Sequence, residues 1–210
     1  MNIITHGCSF TNYKWACWPN FISWFEDNIV INKGEVGSAN ETIAKEVVKS
    51  VQEGQVKKMF IMWSATDRYE YMASSGTVKT GGHIDPEHHK YYVKHFLNEE
   101  QNMYRTLEKI LFTQLYLNQK KIPYTMMVWK GDIIDEQQPI HQDIDWTKFV
   151  FYNGNEGLWE FAQDNYKQYY IPGESHPPPI AHYHWVKDII YKSDLKCPED
   201  EYRKLKEWKI

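Results

Sequence analysis

The chain has 210 residues, is 42% hydrophobic and 25% charged, and carries a formal net charge of −4. This balance is typical of a globular protein, and the length predicts a single domain over residues 1–210. The negative charge argues against a duplex nucleic-acid binder, which needs a basic face. With no membrane-length apolar run, no signal-peptide pattern and three cysteines, we expect a cytoplasmic protein without a membrane partner.

Strands and helices are predicted to alternate along the chain. Short apolar runs predict strands at residues 2–5, 29–31, 57–63 and 123–129. Apolar residues at helical spacing predict helices at residues 15–27, 40–53, 86–119 (broken near Asn98), 157–166 and 180–191, and a surface helix at 198–208. Glycine, proline and polar residues indicate loops at 64–86 and 169–179, and leave 130–155 unassigned. This order favours an α/β fold with a central parallel sheet.

A candidate nucleophile follows the first predicted strand. Residues 3–11 (IITHGCSFT) run from an apolar strand into a Gly-Cys-Ser turn that contains Ser9. Chemistry in open α/β sheets collects at the carboxyl ends of the strands, where this serine is expected. By itself the pattern is also typical of an ordinary turn, because glycine tolerates positive φ and serine bonds its own backbone.

The next two predicted strands end in segments that could bind a developing oxyanion. Residues 34–40 (GEVGSAN) offer the backbone N–H of Gly37, although that glycine could merely permit a turn and Asn40 merely cap a helix. Residues 63–68 (WSATDR) supply Thr66, Asp67 and Arg68 to the same edge, where we expect them to contact substrate or oxyanion. Alternatively, the last two form only an exposed ion pair of the exit loop.

A candidate base lies late in the chain, in residues 173–177 (GESHP). His176 is fixed by a following proline, and Glu174 could orient its imidazole while the imidazole takes the serine proton. A lone loop histidine is usually just solvated. The polar residues predicted at the strand ends favour a catalytic interpretation of His176.

Together these segments resemble the SGNH (GDSL-type) hydrolase family across nearly the whole chain. The resemblance maps the nucleophile onto Ser9, an oxyanion-hole N–H onto Gly37, and the acid–histidine block onto residues 174–177. His182 and Trp185 are similar to the helix that often follows in that family, and we expect His182 to line the substrate site. The resemblance implies a flavodoxin-like three-layer α/β/α sandwich and a serine esterase or deacylase mechanism.

The chain departs from the family pattern at three positions. Cys8 stands at a non-catalytic position where Asp is common, and Thr66 stands where the family has an oxyanion-binding Asn. Gly173 occupies the usual place of the acid, and Glu174 follows one position later. We expect Asn40 or Thr66 to assist the oxyanion hole. Losing one such donor typically lowers the rate about 100- to 1,000-fold.

Two other chemistries are less favoured. His83, His88 and His89 could suggest a metal cluster, but their spacing matches no established zinc pattern, and a helix start capped by Asp85 explains the segment better. A Cys8 nucleophile is conceivable, although its side chain should point away from that of its neighbour. We therefore predict no metal and no cofactor.

Two functions remain open. The first is a serine esterase that removes a short acyl group from a sugar or small alcohol, since the loops are rich in Tyr and Trp. The second is an SGNH-like module with weak or no catalysis that binds a glycan or a protein. Nucleotide binding is disfavoured, because the chain has neither Gly-x-Gly-x-x-Gly nor a Walker-type Gly-Lys-Ser.

Overall fold

The computed structural model describes residues 1–26, 28–73, 76–80, 86–95, 97–194 and 199–206. Its strands are β1 (Asn2–His6), β2 (Val30–Asn32), β3 (Val56–Trp63), β4 (Tyr69–Ala73), β5 (Gly76–Thr80) and β6 (Tyr124–Val128). Its helices are α1 (Trp18–Ile22), α2 (Asn40–Glu53), α3 (Pro86–His95), α4 (Glu99–Gln119), α5 (Leu158–Tyr166), α6 (Pro179–His184) and α7 (Glu199–Lys206). A π-helical segment, Trp185–Ile190, continues directly from α6.

A parallel four-stranded sheet in the order β2-β1-β3-β6 forms the centre of the protein. From β1 the chain goes first to β2 on one side and then to β3 on the other, so the strand order reverses at β1. In open α/β sheets, ligands bind at such reversal points, outside the carboxyl ends of the strands. The predicted α/β class with a central parallel sheet is confirmed.

Both faces of the sheet are covered, which makes three layers. Along β3 successive side chains alternate between the faces, as strand geometry requires. Phe60 and Met62 join the cluster that α1, α5 and α6 cover, whereas Met59, Ile61 and Trp63 join the cluster that α2 and α4 cover. Burial on both faces explains why β3 is a nearly continuous apolar run.

Several predicted boundaries need correction. The break near Asn98 is confirmed, since this residue caps α4 by accepting a hydrogen bond from Gln101 N at 2.9 Å. The helix predicted at 15–27 shortens to Trp18–Ile22. The loop predicted at 64–86 contains the antiparallel β4–β5 hairpin. That prediction gave more weight to glycine and serine than to the strand-like residues on either side of them.

The unassigned stretch 130–155 contains three short 3₁₀ turns: Gly131–Ile133, Pro139–Asp143 and Trp146–Lys148. At the C-terminal side, α7 lies within the segment predicted as a surface helix, and its Leu205 joins the core with only 7% exposure. In the parts of the chain that the structure describes, no helix is both long and apolar enough to cross a membrane.

Candidate active site

Ser9 lies in the tight turn that follows β1. Backbone N–H groups of Thr11 and Asn12 donate to the Cys8 carbonyl oxygen at 2.9 and 3.1 Å, which folds the chain back on itself. Gly7 is required by a close approach, because a Cβ atom there would lie 2.0 Å from Thr11 Oγ1. The turn leaves Ser9 only 3% exposed. The nucleophile candidate is therefore almost fully buried in this turn.

His176 meets Ser9 across the site. Its Nε2 lies 2.8 Å from Ser9 Oγ, although the two residues are 167 positions apart. Burial lowers the pKa of His176 to about 4; the charges of Arg68 and Lys14 lower it further, and that of Glu174 opposes them. The imidazole is thus neutral near pH 7 and can accept the serine proton.

Glu174 approaches His176 without a hydrogen bond to it. One carboxylate oxygen accepts the Tyr13 hydroxyl proton at 2.8 Å, and the other forms an ion pair with Lys14. These two bonds hold the pKa of Glu174 below its usual value. His176 Nδ1 is buried and has no hydrogen-bond partner within the described residues. Glu174 therefore acts on His176 through its charge and through Tyr13.

Two backbone donors are available for an oxyanion. Gly37 has a φ of +78°, a left-handed conformation that favours glycine. Glu35 N donates to the Gly7 carbonyl at 3.0 Å, which ties this turn to the turn that contains Ser9. The N–H groups of Ser9 and Gly37 have no acceptor among the residues that the structure describes. Both donors are thus free at the same end of the sheet.

Asn40 is already fully hydrogen-bonded. Its Nδ2 donates to the Ser64 carbonyl at 3.0 Å and to Thr106 Oγ1 at 3.2 Å, while its Oδ1 accepts from Ser64 N at 2.7 Å. Both amide hydrogens are engaged, so none remains for an oxyanion in this arrangement. The side chain fastens the start of α2 to the end of β3.

The loop after β3 brings a cation towards the site. Arg68 donates to Ser64 Oγ at 2.9 Å and to the Ser38 carbonyl at 3.4 Å. Its effect on the pKa of His176 indicates that its charge is felt there. Thr66 and Asp67 are half-buried in the same loop, and their side chains bond to nothing within the described part of the chain. Their roles stay predictions.

His182 is buried in α6, with 1% exposure. Burial lowers its pKa to about 3, and the charge of His176 lowers it as well, so the two rings influence each other. His182 therefore lies in the interior, close enough to His176 for their charges to interact, and a direct contact with substrate stays a prediction.

Aromatic side chains surround His176, and the sequence patterns had not indicated them. The Tyr13 ring stacks on the imidazole with centroids 3.9 Å apart and planes 12° apart. Phe10 approaches from another direction at 5.3 Å, and Trp129 contacts Phe10 at 5.2 Å. The only available signal for the first two was their position within four residues of Ser9.

A separate depression of about 380 Å³ lies between α4 and the turn Pro139–Asp143. None of its lining residues belongs to the Ser9–His176 site: Tyr104, Glu108, Leu111, Phe112, Pro139, Ile140 and Asp143. Within the described residues no group of three or more His, Cys, Asp or Glu side chains could hold a metal. His83 and Asp85, and the side chains of His88 and His89, lie outside the described part of the structure.

No family model and no curated protein matches the chain. Among solved structures it is similar to a catalytic mutant of Axe2, an acetylxylan esterase from Geobacillus stearothermophilus, with 12% identity, 86% of this chain and 88% of that chain covered, and a TM-score of 0.47. It is similar to a mutant of the esterase AlinE4, with 13% identity and a TM-score of 0.45; the match covers 89% of this chain and 91% of that chain. It is also similar to a candidate lipolytic protein of the G-D-S-L family from Desulfitobacterium hafniense, with 14% identity and a TM-score of 0.31; the match covers 60% of this chain and 76% of that chain.

Proposed function

We propose that the protein is a serine hydrolase that cleaves a carboxylic ester, with Ser9 as nucleophile and His176 as general base. The observation that carries this proposal is the 2.8 Å approach of Ser9 Oγ to His176 Nε2. For Nε2 to accept the serine proton, the proton of the neutral ring must sit on Nδ1. The low pKa of His176 supports the neutral form.

The reaction follows from this arrangement. Ser9 Oγ attacks the ester carbonyl as its proton passes to His176, and the N–H groups of Ser9 and Gly37 stabilise the oxyanion. His176 returns the proton to the leaving alcohol, which produces an acyl-serine. Water then attacks the acyl-serine with His176 again as base, and the acid is released.

The remaining predicted residues support this chemistry from further away. Glu174 contributes negative charge that favours the imidazolium formed during proton transfer. Thr66, Asp67 and Arg68 are proposed to contact the substrate from the loop after β3. Asn40 is proposed to act indirectly, by fixing the backbone of that loop.

The substrate is proposed to carry a short acyl group on a sugar or small alcohol. The 3% exposure of Ser9 supports a small acyl group, because a bulky one would need a wider opening. Trp129 is half-buried, contacts Phe10 beside the base, and offers a flat aromatic surface to the alcohol.

The test compares hydrolysis of an aryl acetate by wild-type protein, Ser9→Ala and His176→Gln. Each variant should lose about 1,000-fold or more in kcat, as expected when the nucleophile or its base is removed. Ser50→Ala is the matched control, since Ser50 is equally buried but lies on α2. A fluorophosphonate should label the wild type and Ser50→Ala but not Ser9→Ala. Equal hydrolysis by the wild type and Ser9→Ala would refute the mechanism.

One observation favours the alternative, a binding module with weak catalysis. His176 Nδ1 lacks the carboxylate hydrogen bond that orients the base in a triad. This alternative predicts glycan or protein binding that Ser9→Ala leaves intact, with no fluorophosphonate labelling of the wild type. Serine-dependent turnover of an acylated sugar would exclude it.

A further inference from the structure

The segment that follows Ser9 wraps His176 with aromatic side chains. The Tyr13 ring lies parallel to the imidazole, at 3.9 Å and 12°, and Phe10 is tilted against it at 5.3 Å and 44°. Trp15 packs edge-on against Tyr13 at 4.7 Å, and its Nε1 donates to the Pro177 carbonyl at 3.0 Å. One short segment thus contacts both the base and the peptide after it.

Tyr13 is itself held at two places. Its hydroxyl donates to Glu174 Oε2 at 2.8 Å, and Glu174 is fixed from its other side by Lys14. The ring is confined between Trp15 and His176. A side chain anchored at its tip and along its faces has little rotational freedom, so it can define the plane of the imidazole.

His176 needs such a restraint, because its own hydrogen bonds do not provide one. Nε2 contacts Ser9, but Nδ1 is buried with no partner among the described residues. A single hydrogen bond leaves the imidazole free to rock about that contact. In a triad, the carboxylate at the other ring nitrogen fixes the orientation and stabilises the imidazolium.

We propose that Tyr13 is a positioning residue that takes over the orienting task of the missing carboxylate contact. The stacked ring keeps Nε2 aimed at Ser9 Oγ. This inference rests on the proposed function of Ser9 and His176. Glu174 contributes by anchoring the Tyr13 hydroxyl and by its negative charge.

The groups around His176 predict the direction of a pKa change. Glu174 raises the pKa of His176, Arg68 and Lys14 lower it, and desolvation has the largest effect. Removing the Tyr13 ring admits water to the imidazole, so the pKa should rise from about 4 towards its ordinary 6.5.

The experiment uses Tyr13→Leu, which removes the stack, and Tyr13→Phe, which keeps the ring but loses the bond to Glu174. Tyr104→Leu is the control, since Tyr104 is an exposed tyrosine on α4. We expect Tyr13→Leu to lower kcat for an aryl acetate about 10- to 100-fold, the cost of a misplaced catalytic group, with KM nearly unchanged. Tyr13→Phe should retain most of the activity. NMR titration of the His176 imidazole should give a raised pKa only in Tyr13→Leu.

Each outcome decides the proposal. If Tyr13→Leu has the same kcat and the same His176 pKa as the wild type, the positioning role of Tyr13 is overturned. The proposed function stays intact in that case, provided that Ser9→Ala is inactive. Equal losses in Tyr13→Leu and Tyr13→Phe would overturn the role of the ring and assign the effect to the bond with Glu174. If the wild type shows no serine-dependent hydrolysis, the proposed function fails. The titration still tests the stack, and an unchanged His176 pKa in Tyr13→Leu would then overturn it.

Discussion

The buried base predicts an unusually acidic limb in the pH profile of hydrolysis. The pKa of His176 is lowered to about 4, chiefly by burial. The neutral imidazole is the reactive form, so kcat/KM should rise with pH and reach half of its plateau near pH 4. At pH 5 about nine-tenths of His176 should be neutral, against about 3% of a histidine with the ordinary pKa of 6.5. The predicted activity at pH 5 is therefore about 30-fold higher than for a solvated base.

The assay is kcat/KM for an aryl acetate between pH 3 and 8, with the released phenol measured by chromatography of quenched samples so that its ionisation does not interfere. Two variants test the cause of the shift. Lys14→Met should move the limb to higher pH, because the lysine charge lowers the pKa of His176. Glu174→Gln should move it to lower pH, because the carboxylate raises that pKa. A wild-type midpoint between pH 6 and 7 would refute the inference that His176 is desolvated.

Unfolding in acid must be measured alongside activity, because other histidines are buried as well. Burial lowers the pKa of His6 to about 4 and that of His182 to about 3. Between these values and 6.5 the unfolded chain binds more protons than the folded one. The free energy of unfolding should therefore have its full value above about pH 6.5 and fall as the pH drops towards 4. Tryptophan fluorescence at each pH separates this loss from protonation of His176.

Three further predictions concern the scaffold of the site. Asn40→Ala should lower the free energy of unfolding in urea by about 2–4 kcal/mol, because it leaves buried backbone groups after β3 unpaired; a loss below about 0.5 kcal/mol would contradict the bonds described. Gly7→Ala should destabilise by about 1–3 kcal/mol through its clash with Thr11 Oγ1, and adding Thr11→Ala should partly restore stability; no rescue would mean that the clash is not the cause. In a Cys8→Ala, Cys197→Ser background, the buried thiol of Cys17, with its pKa raised to about 12, should react with a disulfide reagent only after unfolding; rapid labelling of the folded protein would contradict this burial.

The strands of the sheet could be predicted because each has an apolar pattern that a short stretch of sequence shows. The β3 sequence is apolar at consecutive positions since both faces of the strand are covered, and that pattern is visible in seven or eight letters. The position of Ser9 could be anticipated because parallel strands deliver their following turns to one edge of the sheet. His176 follows α5 and not a strand, so its approach to Ser9 was expected from the family resemblance and from the polar residues at the strand ends.

The partner of Glu174 could not be predicted in the same way. Spacing placed this carboxylate two residues before His176, which suggested a direct contact. The direction of its side chain depends on Tyr13 and Lys14, more than 150 residues earlier, which offer it a hydroxyl and a cation. Asn40 poses the same difficulty, since its position at the start of α2 was read correctly but its bonds to Ser64 depend on how α2 docks against β3.

A base with a pKa of about 4 is well populated in its reactive form, but it is a weak proton acceptor. The imidazolium that forms during attack by Ser9 must then be stabilised within the site, or the proton transfer becomes costly. The Glu174 carboxylate supplies that stabilisation as the charge develops, and the Tyr13 hydroxyl holds this carboxylate in place. Lys14 opposes it, although its ion pair also holds Glu174 in place. The strength of the base is therefore set largely by the segment after Ser9, so substitutions there should change the pH profile more than they change substrate binding.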